Sequence, residues 1–272
     1  MPTLTIDGRS ITVPAGSTIL DAARALAIDV PTLCWYPKLP VVGNCRICLV
    51  QVDGAPKLVA SCATAAADGM RVSTESDEAV KNRQGVLSML LERYPTEDIP
   101  ATAARNEFES LVHRYDVPTT RRSGLPLRSG DEREGDPIIQ HDMSTCILCT
   151  RCVRACEDIQ VVGVLDVAHR GDHTQIIVGA DGNPEHAGCT WCGECVRVCP
   201  TGAIHDILAI ARTTNGESPA HGNGNTSDQR ADAQAASGNG TAAPRGGNGV
   251  RATHDDRAES VGSDGNGSAK SR

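Results

Sequence analysis

Aromatic side chains are scarce in this sequence of 272 residues, which contains one Phe, two Trp and three Tyr. Such rings normally supply much of the buried area of a core, so we expect other groups to help hold the chain together. No stretch reaches the roughly 20 apolar residues of a membrane helix. Met1–Thr5 lacks the basic and apolar regions of a secretory signal. We therefore expect no membrane span and a cytoplasmic location.

Motifs for nucleotides and for nucleophilic catalysis are missing as well. The sequence contains no Gly-x-Gly-x-x-Gly turn, no P-loop, no flavin motif and no recognisable nucleophile context. We therefore expect no active site of the chain's own. The formal net charge of −8 argues against nucleic acid as a ligand and favours a protein partner.

Cysteine, by contrast, is abundant: the chain has twelve. Eight of them form two runs with the same spacing, C-x2-C-x2-C-x3-C, and the second run is followed directly by Pro200. This spacing is the bacterial ferredoxin run, in which thiolates bind a [4Fe–4S] cluster. The first run is Cys146, Cys149, Cys152 and Cys156, and the second is Cys189, Cys192, Cys195 and Cys199.

The fourth cysteine of each run has a separate role in two-cluster ferredoxins, where it ligates the cluster of the other run. We expect this cysteine to start a short helix and to face away from its own run. On this pattern the first [4Fe–4S] cluster is predicted to take Cys146, Cys149, Cys152 and Cys199. The second is predicted to take Cys156, Cys189, Cys192 and Cys195.

The remaining four cysteines are Cys34, Cys45, Cys48 and Cys62, which are spaced as for a [2Fe–2S] centre. The loop Gly43–Cys48 is small and polar, as is typical of a segment that wraps closely around such a cluster. Disulfide bonds are an alternative use of the thiols, but disulfide scaffolds are usually short secreted chains. Zinc is a stronger alternative, above all for this quartet taken alone, although zinc ribbons do not use three cysteines at successive x2 spacings.

The arrangement along the chain predicts an α+β fold. Residues 1–75 alternate apolar and polar residues around turns such as Asp7-Gly8, with one helix capped by Ser17 and ended by Pro31. This pattern indicates a β-grasp domain. Residues 76–137 are predicted to form a helical connector and a polar linker. A tandem ferredoxin-like domain is predicted over 138–212, and the Gly- and Asn-rich residues 213–272 are predicted to be a disordered tail.

Three side chains near the cysteines are open to a functional or an ordinary interpretation. Tyr36 and Trp191 are expected to shield clusters from water rather than to relay electrons. His141, in a polar stretch, is expected to be solvated rather than to act as a ligand.

The cysteine segments resemble the N-terminal iron–sulfur part that several enzymes share. These are the large iron–sulfur subunit of respiratory complex I, the diaphorase small subunit of NAD-reducing hydrogenases, iron-only hydrogenases, and the α subunit of NAD-dependent formate dehydrogenases. The resemblance covers residues 1–210 and does not single out one member. The segments that carry it are Thr32–Cys34, Cys45–Val50, Ala60–Cys62, Cys146–Gln160 and Cys195–Ala203.

Two departures from the family's pattern stand out. The family usually carries a His-x3-Cys-x2-Cys-x5-Cys segment that binds a further [4Fe–4S] cluster. Here Tyr94 stands near the histidine position and no cysteine occurs between Cys62 and Cys146, so that cluster is expected to be absent. In some members a catalytic domain follows on the same chain. Here the predicted tail follows, so the active site is expected on a partner.

The resemblance therefore implies an electron-transfer subunit of a multi-subunit oxidoreductase with one [2Fe–2S] and two [4Fe–4S] clusters. Its implied partners are a flavoprotein or diaphorase subunit and a catalytic subunit such as a formate dehydrogenase or hydrogenase. The alternative is a free-standing soluble ferredoxin-like carrier that docks weakly with its enzymes. A regulatory iron–sulfur sensor is a third interpretation, which the acidic charge and the lack of a DNA-binding element oppose.

Overall fold

Short strands and helices alternate along the chain in a computed structural model, which describes residues 1–128, 138–180, 182–183 and 185–206. The predicted tail over 213–272 lies outside these residues, as do positions 129–137 of the predicted linker. The α+β class is confirmed. The strands are β1 (Thr3–Ile6), β2 (Arg9–Thr12), β3 (Leu49–Val52), β4 (Val59–Ala60), β5 (Arg71–Ser73), β6 (Ile139–His141), β7 (Leu165–Ala168), β8 (Gln175–Val178) and β9 (Ile204–Asp206). The helices are α1 (Ile19–Ala25), α2 (Asp77–Leu91), α3 (Glu107–Arg114), α4 (Arg151–Arg154) and α5 (Glu194–Val198), with 3-10 turns at Thr96–Asp98, Met143–Thr145 and Gly171–His173 and a π-helical turn at Ala155–Ile159.

The N-terminal strands form one mixed sheet in the order β2-β1-β5-β3-β4. β1 runs antiparallel to β2 and parallel to β5. Asp7 and Gly8, which join β1 to β2, have φ values of 47° and 77°, as the tight turn of a twisted hairpin requires. The predicted hairpin is therefore confirmed. Helix α1 shares one buried core with this sheet, and its members include Leu4, Ile19 and Val50.

Helix α1 begins one residue later than the sequence predicts. Its N-cap is Thr18, whose side-chain oxygen accepts a hydrogen bond from the backbone N–H of Asp21 at 3.1 Å. The Asp21 carboxylate accepts the Thr18 N–H at 2.8 Å, which completes a capping box. The prediction of Ser17 was wrong because Asp21 stands three residues after Thr18. The helix also ends well before Pro31, at Ala25, and Ala27 then takes a left-handed φ of 55°.

The helical connector packs against the loops that carry the first cysteines. Helix α2 starts after Ser76, which caps it. Its buried Leu87 and Leu91 share a core cluster with Leu33 and Ile47, the neighbours of Cys34 and Cys48. The connector therefore covers the N-terminal cysteine quartet from one side.

Arg83 fixes α2 to the sheet. Its buried guanidinium donates to the backbone carbonyls of Leu49 at 3.1 Å and Thr74 at 2.6 Å. It also donates to the Tyr115 hydroxyl at 3.0 Å and the Glu75 carboxylate at 2.9 Å. One side chain thus donates hydrogen bonds to acceptors in or next to the sheet, just before α2 and directly after α3.

The stretch that lacks the further cluster motif is filled by a polar and aromatic network. The rings of Tyr94 and Phe108 lie 4.9 Å apart between centroids. The Tyr94 hydroxyl donates to the buried Glu109 carboxylate at 2.9 Å, and Arg105 donates to the same carboxylate at 2.7 Å. Asn106 donates to the Tyr94 hydroxyl at 3.1 Å. Side chains therefore supply the packing in the stretch where the sequence lacks the motif for a further cluster.

The C-terminal strands form two antiparallel pairs, β6 with β9 and β7 with β8. Their buried apolar residues, such as Ile139, Leu165 and Ile204, share a core with the cysteines of both runs. The Phe108 N–H donates to the Pro200 carbonyl at 3.1 Å, which joins the connector to the end of the second run. Within the described residues no helix has the length and apolar character needed to cross a membrane.

Candidate iron–sulfur centres

The N-terminal cysteines lie together in two contacting pairs. The backbone N–H of Cys34 donates to the Cys45 sulfur at 3.4 Å, and the sulfurs of Cys48 and Cys62 lie 3.3 Å apart. Cys34, Cys48 and Cys62 are buried, whereas Cys45 is half-buried. The loop after α1, the loop before β3 and the residues after β4 supply them. The fold therefore gathers four thiols from segments that are distant in sequence.

The contacts within each pair separate the proton affinities of the two thiols. The hydrogen bond from Cys45 lowers the pKa of the Cys34 thiol, and that from Cys62 lowers the pKa of the Cys48 thiol. The pKa of Cys45 is raised by its bond to Cys34, and that of Cys62 by its bond to Cys48. The contact of the two thiols in each pair is thus the main cause of these opposite shifts in pKa.

The two ferredoxin-type runs have the same backbone shape. In the first, Leu148 and Thr150 take left-handed φ values of 55° and 59°. In the second, Trp191 and Gly193 at the matching positions have 56° and 74°. Left-handed residues placed this way curl the chain so that backbone N–H groups point inwards, a shape that favours anions. The internal repeat predicted from the spacing is therefore also present in the conformation.

One hydrogen bond recurs at the same place in both runs. The Leu148 N–H donates to the Cys146 sulfur at 3.4 Å, and the Trp191 N–H donates to the Cys189 sulfur at 3.4 Å. Hydrogen bonds to cluster sulfurs are one of the means by which proteins set reduction potentials. Each run thus offers a cluster a backbone donor as well as thiols.

Two cavities draw their cysteines from both runs. Their empty space, including the part open to solvent, is ≈ 300 Å³ and ≈ 580 Å³. The smaller cavity is lined by Cys146, Cys149, Cys152 and Cys199. The larger is lined by Cys156, Cys189, Cys192 and Cys195. The structure thus brings together the exchanged sets that the sequence predicts, while the ligation of clusters by these sets stays a prediction.

The fourth cysteines do not start helices, and that expectation was wrong. Helix α4 already begins at Arg151, so Cys156 falls in the π-helical turn that follows it. Helix α5 begins at Glu194, and Cys199 caps its C-terminal end. The reason is local, because a left-handed residue stands directly before each helix. The helix therefore starts inside the run, and its far end points the fourth cysteine at the other cavity.

Burial favours the protonated form of these thiols. It raises the pKa of Cys146 to about 11 and those of Cys149 and Cys195 to about 12. A buried anionic sulfur is costly unless a positive charge compensates it, and iron supplies that charge. The chemistry of this donor set therefore fits a cationic metal group.

The spacing of the side chains bears on which metal group fits. Within the described part of the chain, no group of three or more His, Cys, Asp or Glu side chains is arranged to hold a metal ion. Each cavity nevertheless has four thiols around it. Because the four thiols around each cavity are not gathered at a single-ion site, this donor set suits a cluster of several irons better than the tetrahedral zinc of the alternative interpretation.

The structure revises the roles expected for the flanking side chains. His141 is buried in β6 and lines both cavities, so the expectation of a solvated histidine was wrong. Trp191 lines the larger cavity, as a shielding ring should. Tyr36 instead lies between two arginines of the ferredoxin-like part, with its ring 5.3 Å from the Arg151 guanidinium and 5.5 Å from that of Arg197. Sequence reasoning missed the burial of His141. The signal available was the strand pattern of the residues around it, which lie just before the first run.

Two domain families match the chain. A 2Fe-2S iron–sulfur cluster binding domain matches residues 1–77. The ferredoxin-like domain of NADH-quinone oxidoreductase subunit 3 matches residues 136–205. The chain thus carries both kinds of iron–sulfur domain that the cysteine spacings indicate.

Known relatives are similar over three quarters of this chain. NADPH-Fe(3+) oxidoreductase subunit alpha of Geobacter sulfurreducens is 38% identical over 205 residues, which are 75% of this chain and 24% of the relative. NADP-reducing hydrogenase subunit HndD of Solidesulfovibrio fructosivorans is 38% identical over 211 residues, 75% of this chain and 36% of the relative. The mitochondrial NADH-ubiquinone oxidoreductase 78 kDa subunit of Candida albicans is 35% identical over 204 residues, 74% of this chain and 28% of the relative. The chain therefore spans little more than a third of these relatives at most.

A solved structure shares the fold over most of its own length. The match is to a chain of an NAD+-reducing [NiFe]-hydrogenase in the H2-reduced state, with a TM-score of 0.66 and 28% identity. It covers 76% of this chain and 88% of the hydrogenase chain. The chain is therefore similar, over separate segments, to a 2Fe-2S cluster binding domain and to the ferredoxin-like domain of NADH-quinone oxidoreductase subunit 3, as its cysteine segments implied.

Proposed function

We propose that this chain relays electrons within a multi-subunit oxidoreductase. It would connect a flavin- or NAD(P)H-linked subunit to a catalytic subunit such as a formate dehydrogenase or hydrogenase. The observation that carries the proposal is the packing of three cysteine quartets in one unit, in which a single side chain, Arg154, contacts the Cys34 and Cys149 loops. Redox groups held this close together in a fixed scaffold are what electron hopping requires.

The proposed cofactors are one [2Fe–2S] and two [4Fe–4S] clusters. The pairwise sulfur contacts and the two four-cysteine cavities support this count. Iron in such clusters takes thiolate ligands, and burial and N–H···S hydrogen bonds from the chain adjust its potential. The proposed ligand sets are Cys34, Cys45, Cys48 and Cys62 for the [2Fe–2S] centre, Cys146, Cys149, Cys152 and Cys199 for the first [4Fe–4S] centre, and Cys156, Cys189, Cys192 and Cys195 for the second.

The contacts also support an order for the three centres. Arg154 connects the [2Fe–2S] quartet to the first [4Fe–4S] set, and the smaller and the larger cavity share His141 and Ile204 in their walls. Cys192, of the second set, is exposed at the surface. We therefore place the first [4Fe–4S] centre in the middle, with the other two towards the partner subunits.

Metal analysis tests the proposed cofactors. After anaerobic reconstitution the chain should hold about ten irons and an equal amount of sulfide, because the three clusters contain two, four and four irons. Stoichiometric zinc would contradict the assignment. So would about fourteen irons, since that amount would mean a further [4Fe–4S] cluster.

Activity measurements test the relay itself. The isolated chain should accept electrons from a strong reductant but should not oxidise NAD(P)H. In the complex with its partner subunits, Cys45→Ser or Cys149→Ser should stop electron flow from one end to the other, while each half-reaction with an artificial dye persists. Full turnover without either centre would refute the proposal. A stable monomer that passes electrons reversibly between separate enzymes would instead favour the free-standing carrier.

A further inference from the structure

One buried guanidinium lies between the N-terminal cysteine loop and the first ferredoxin-type run. Arg154, at the end of α4, is 7% exposed. Its Nη2 atom donates to the carbonyl of Cys34 at 2.6 Å and to the carbonyl of Cys149 at 3.3 Å. Its Nη1 atom donates to the carbonyl of Pro40 at 2.7 Å. The planar guanidinium has five N–H donors in fixed directions, so it can hold all these carbonyls in one arrangement.

We propose that Arg154 is the positioning residue for electron transfer between the [2Fe–2S] centre and the first [4Fe–4S] centre. This inference rests on the proposed relay function. The carbonyls of Cys34 and Cys149 belong to different ligand sets but accept hydrogen bonds from the same nitrogen atom, so a hydrogen-bonded path between the sets passes through that nitrogen. In the step one centre loses one electron and the other gains it. No bond forms or breaks, and no proton moves.

The charge of Arg154 has a second, separable effect. A guanidinium remains protonated in proteins, so Arg154 carries a fixed positive charge. A fixed positive charge beside two anionic centres favours their more negative, reduced states. Loss of the charge should therefore lower both reduction potentials, whereas loss of the bridge alone should slow the transfer between the centres.

Arg151 supplies a matched control, because it joins the same two parts of the chain without contacting a cysteine carbonyl. It lies three residues earlier on α4 and is 1% exposed. It donates to the Thr32 carbonyl at 3.4 Å, the Val198 carbonyl at 3.4 Å and the Glu107 carboxylate at 2.9 Å. Replacing Arg151 therefore tests the effect of looser packing between the two parts on electron transfer. The hydrogen bonds from Arg154 to the two cysteine carbonyls remain in place.

The experiment compares Arg154→Lys, Arg154→Gln and Arg151→Gln in the full chain with all clusters reconstituted. A pulse of reductant loads the centres, and rapid spectroscopy follows the redistribution of electrons between them. EPR-monitored titration gives the potential of each centre and their magnetic interaction. Both Arg154 variants should slow the redistribution by about ten- to a hundredfold, the scale on which a small displacement of reacting groups acts. Of the two Arg154 variants, only Arg154→Gln should also lower both potentials. Arg151→Gln should keep a rate of redistribution near that of the unmodified chain.

Two results would overturn the role of Arg154. One is an unchanged rate in both Arg154 variants at full iron content. The other is an equal slowing in Arg151→Gln, which would assign the effect to packing between the two parts. If Arg154→Gln loads clusters poorly, the charge-retaining Arg154→Lys decides the outcome. An unmodified, fully loaded chain with no redistribution between centres would instead refute the relay function itself.

Discussion

Replacing the fourth cysteine of each run should remove the cluster of the other run. Cys156 lines the cavity of Cys189, Cys192 and Cys195, so Cys156→Ser should leave that cavity with three thiols. Iron should then fall from about ten to about six per chain, because one four-iron cluster is lost. Cys199→Ser should give the same iron content by losing the first cluster instead. The two variants should therefore lose equal amounts of iron, but from different clusters.

Variants within each run identify which centre has been lost. Cys192→Ser should match Cys156→Ser in its low-temperature EPR spectrum and redox titration, although the two residues belong to different runs. Cys149→Ser should match Cys199→Ser. A Cys156→Ser spectrum that matches Cys149→Ser would refute the exchanged pairing. A loss of about eight irons from either single variant would mean that both ferredoxin-type clusters are lost together, which contradicts the expected loss of one.

Two stability predictions concern buried charges outside the cysteine sets. Arg83→Met should lower the free energy of unfolding by about 2–4 kcal/mol, because two backbone carbonyls lose their donor, and chemical denaturation measures this change. The exposed Arg71, paired with Asp53, is the control, and Arg71→Met should cost less than about 1 kcal/mol; equal costs would contradict the anchoring role of Arg83. Burial raises the pKa of Glu109, but hydrogen bonds from Arg105 and Tyr94 outweigh it, so the pKa is lowered overall. Because the pKa is lowered, the ionised carboxylate stabilises the fold at pH values above the unfolded pKa of about 4.3. Glu109→Gln should therefore lower the free energy of unfolding by about 1–3 kcal/mol, and by the same amount at about pH 6 and about pH 8. A loss of stability that differs between these two pH values would contradict this prediction.

Features that depend on local spacing could be predicted from the sequence. The β1–β2 hairpin follows from the alternation of apolar and polar residues around Asp7-Gly8. The two ferredoxin-type runs are recognisable from the spacing of their cysteines alone. The predicted start of the helical connector at residue 76 likewise agrees with the start of α2, which Ser76 caps. The exchange of Cys156 and Cys199 between cavities was also accessible, because it belongs to the ferredoxin pattern.

Features that depend on contacts between distant residues could not be predicted. Arg154 and Cys34 are 120 positions apart, and nothing in the sequence pairs them. The burial of His141 depends on the pairing of β6 with β9, which closes only after the second run. The error in the start of α1 had a different cause, since Ser17 and Thr18 are both good caps and only the position of Asp21 separates them.

The exchange of cysteines between the two cavities has a consequence for how the protein is made. Synthesis proceeds from the N-terminus, so Cys146–Cys156 leaves the ribosome well before Cys189–Cys199. The larger cavity has its full set of thiols only once Cys195 has emerged, and the smaller one only once Cys199 has emerged. The N-terminal quartet, by contrast, is complete once Cys62 is free. On the proposed ligand sets, a nascent chain that pauses between the two runs can therefore bind a cluster only through its N-terminal quartet.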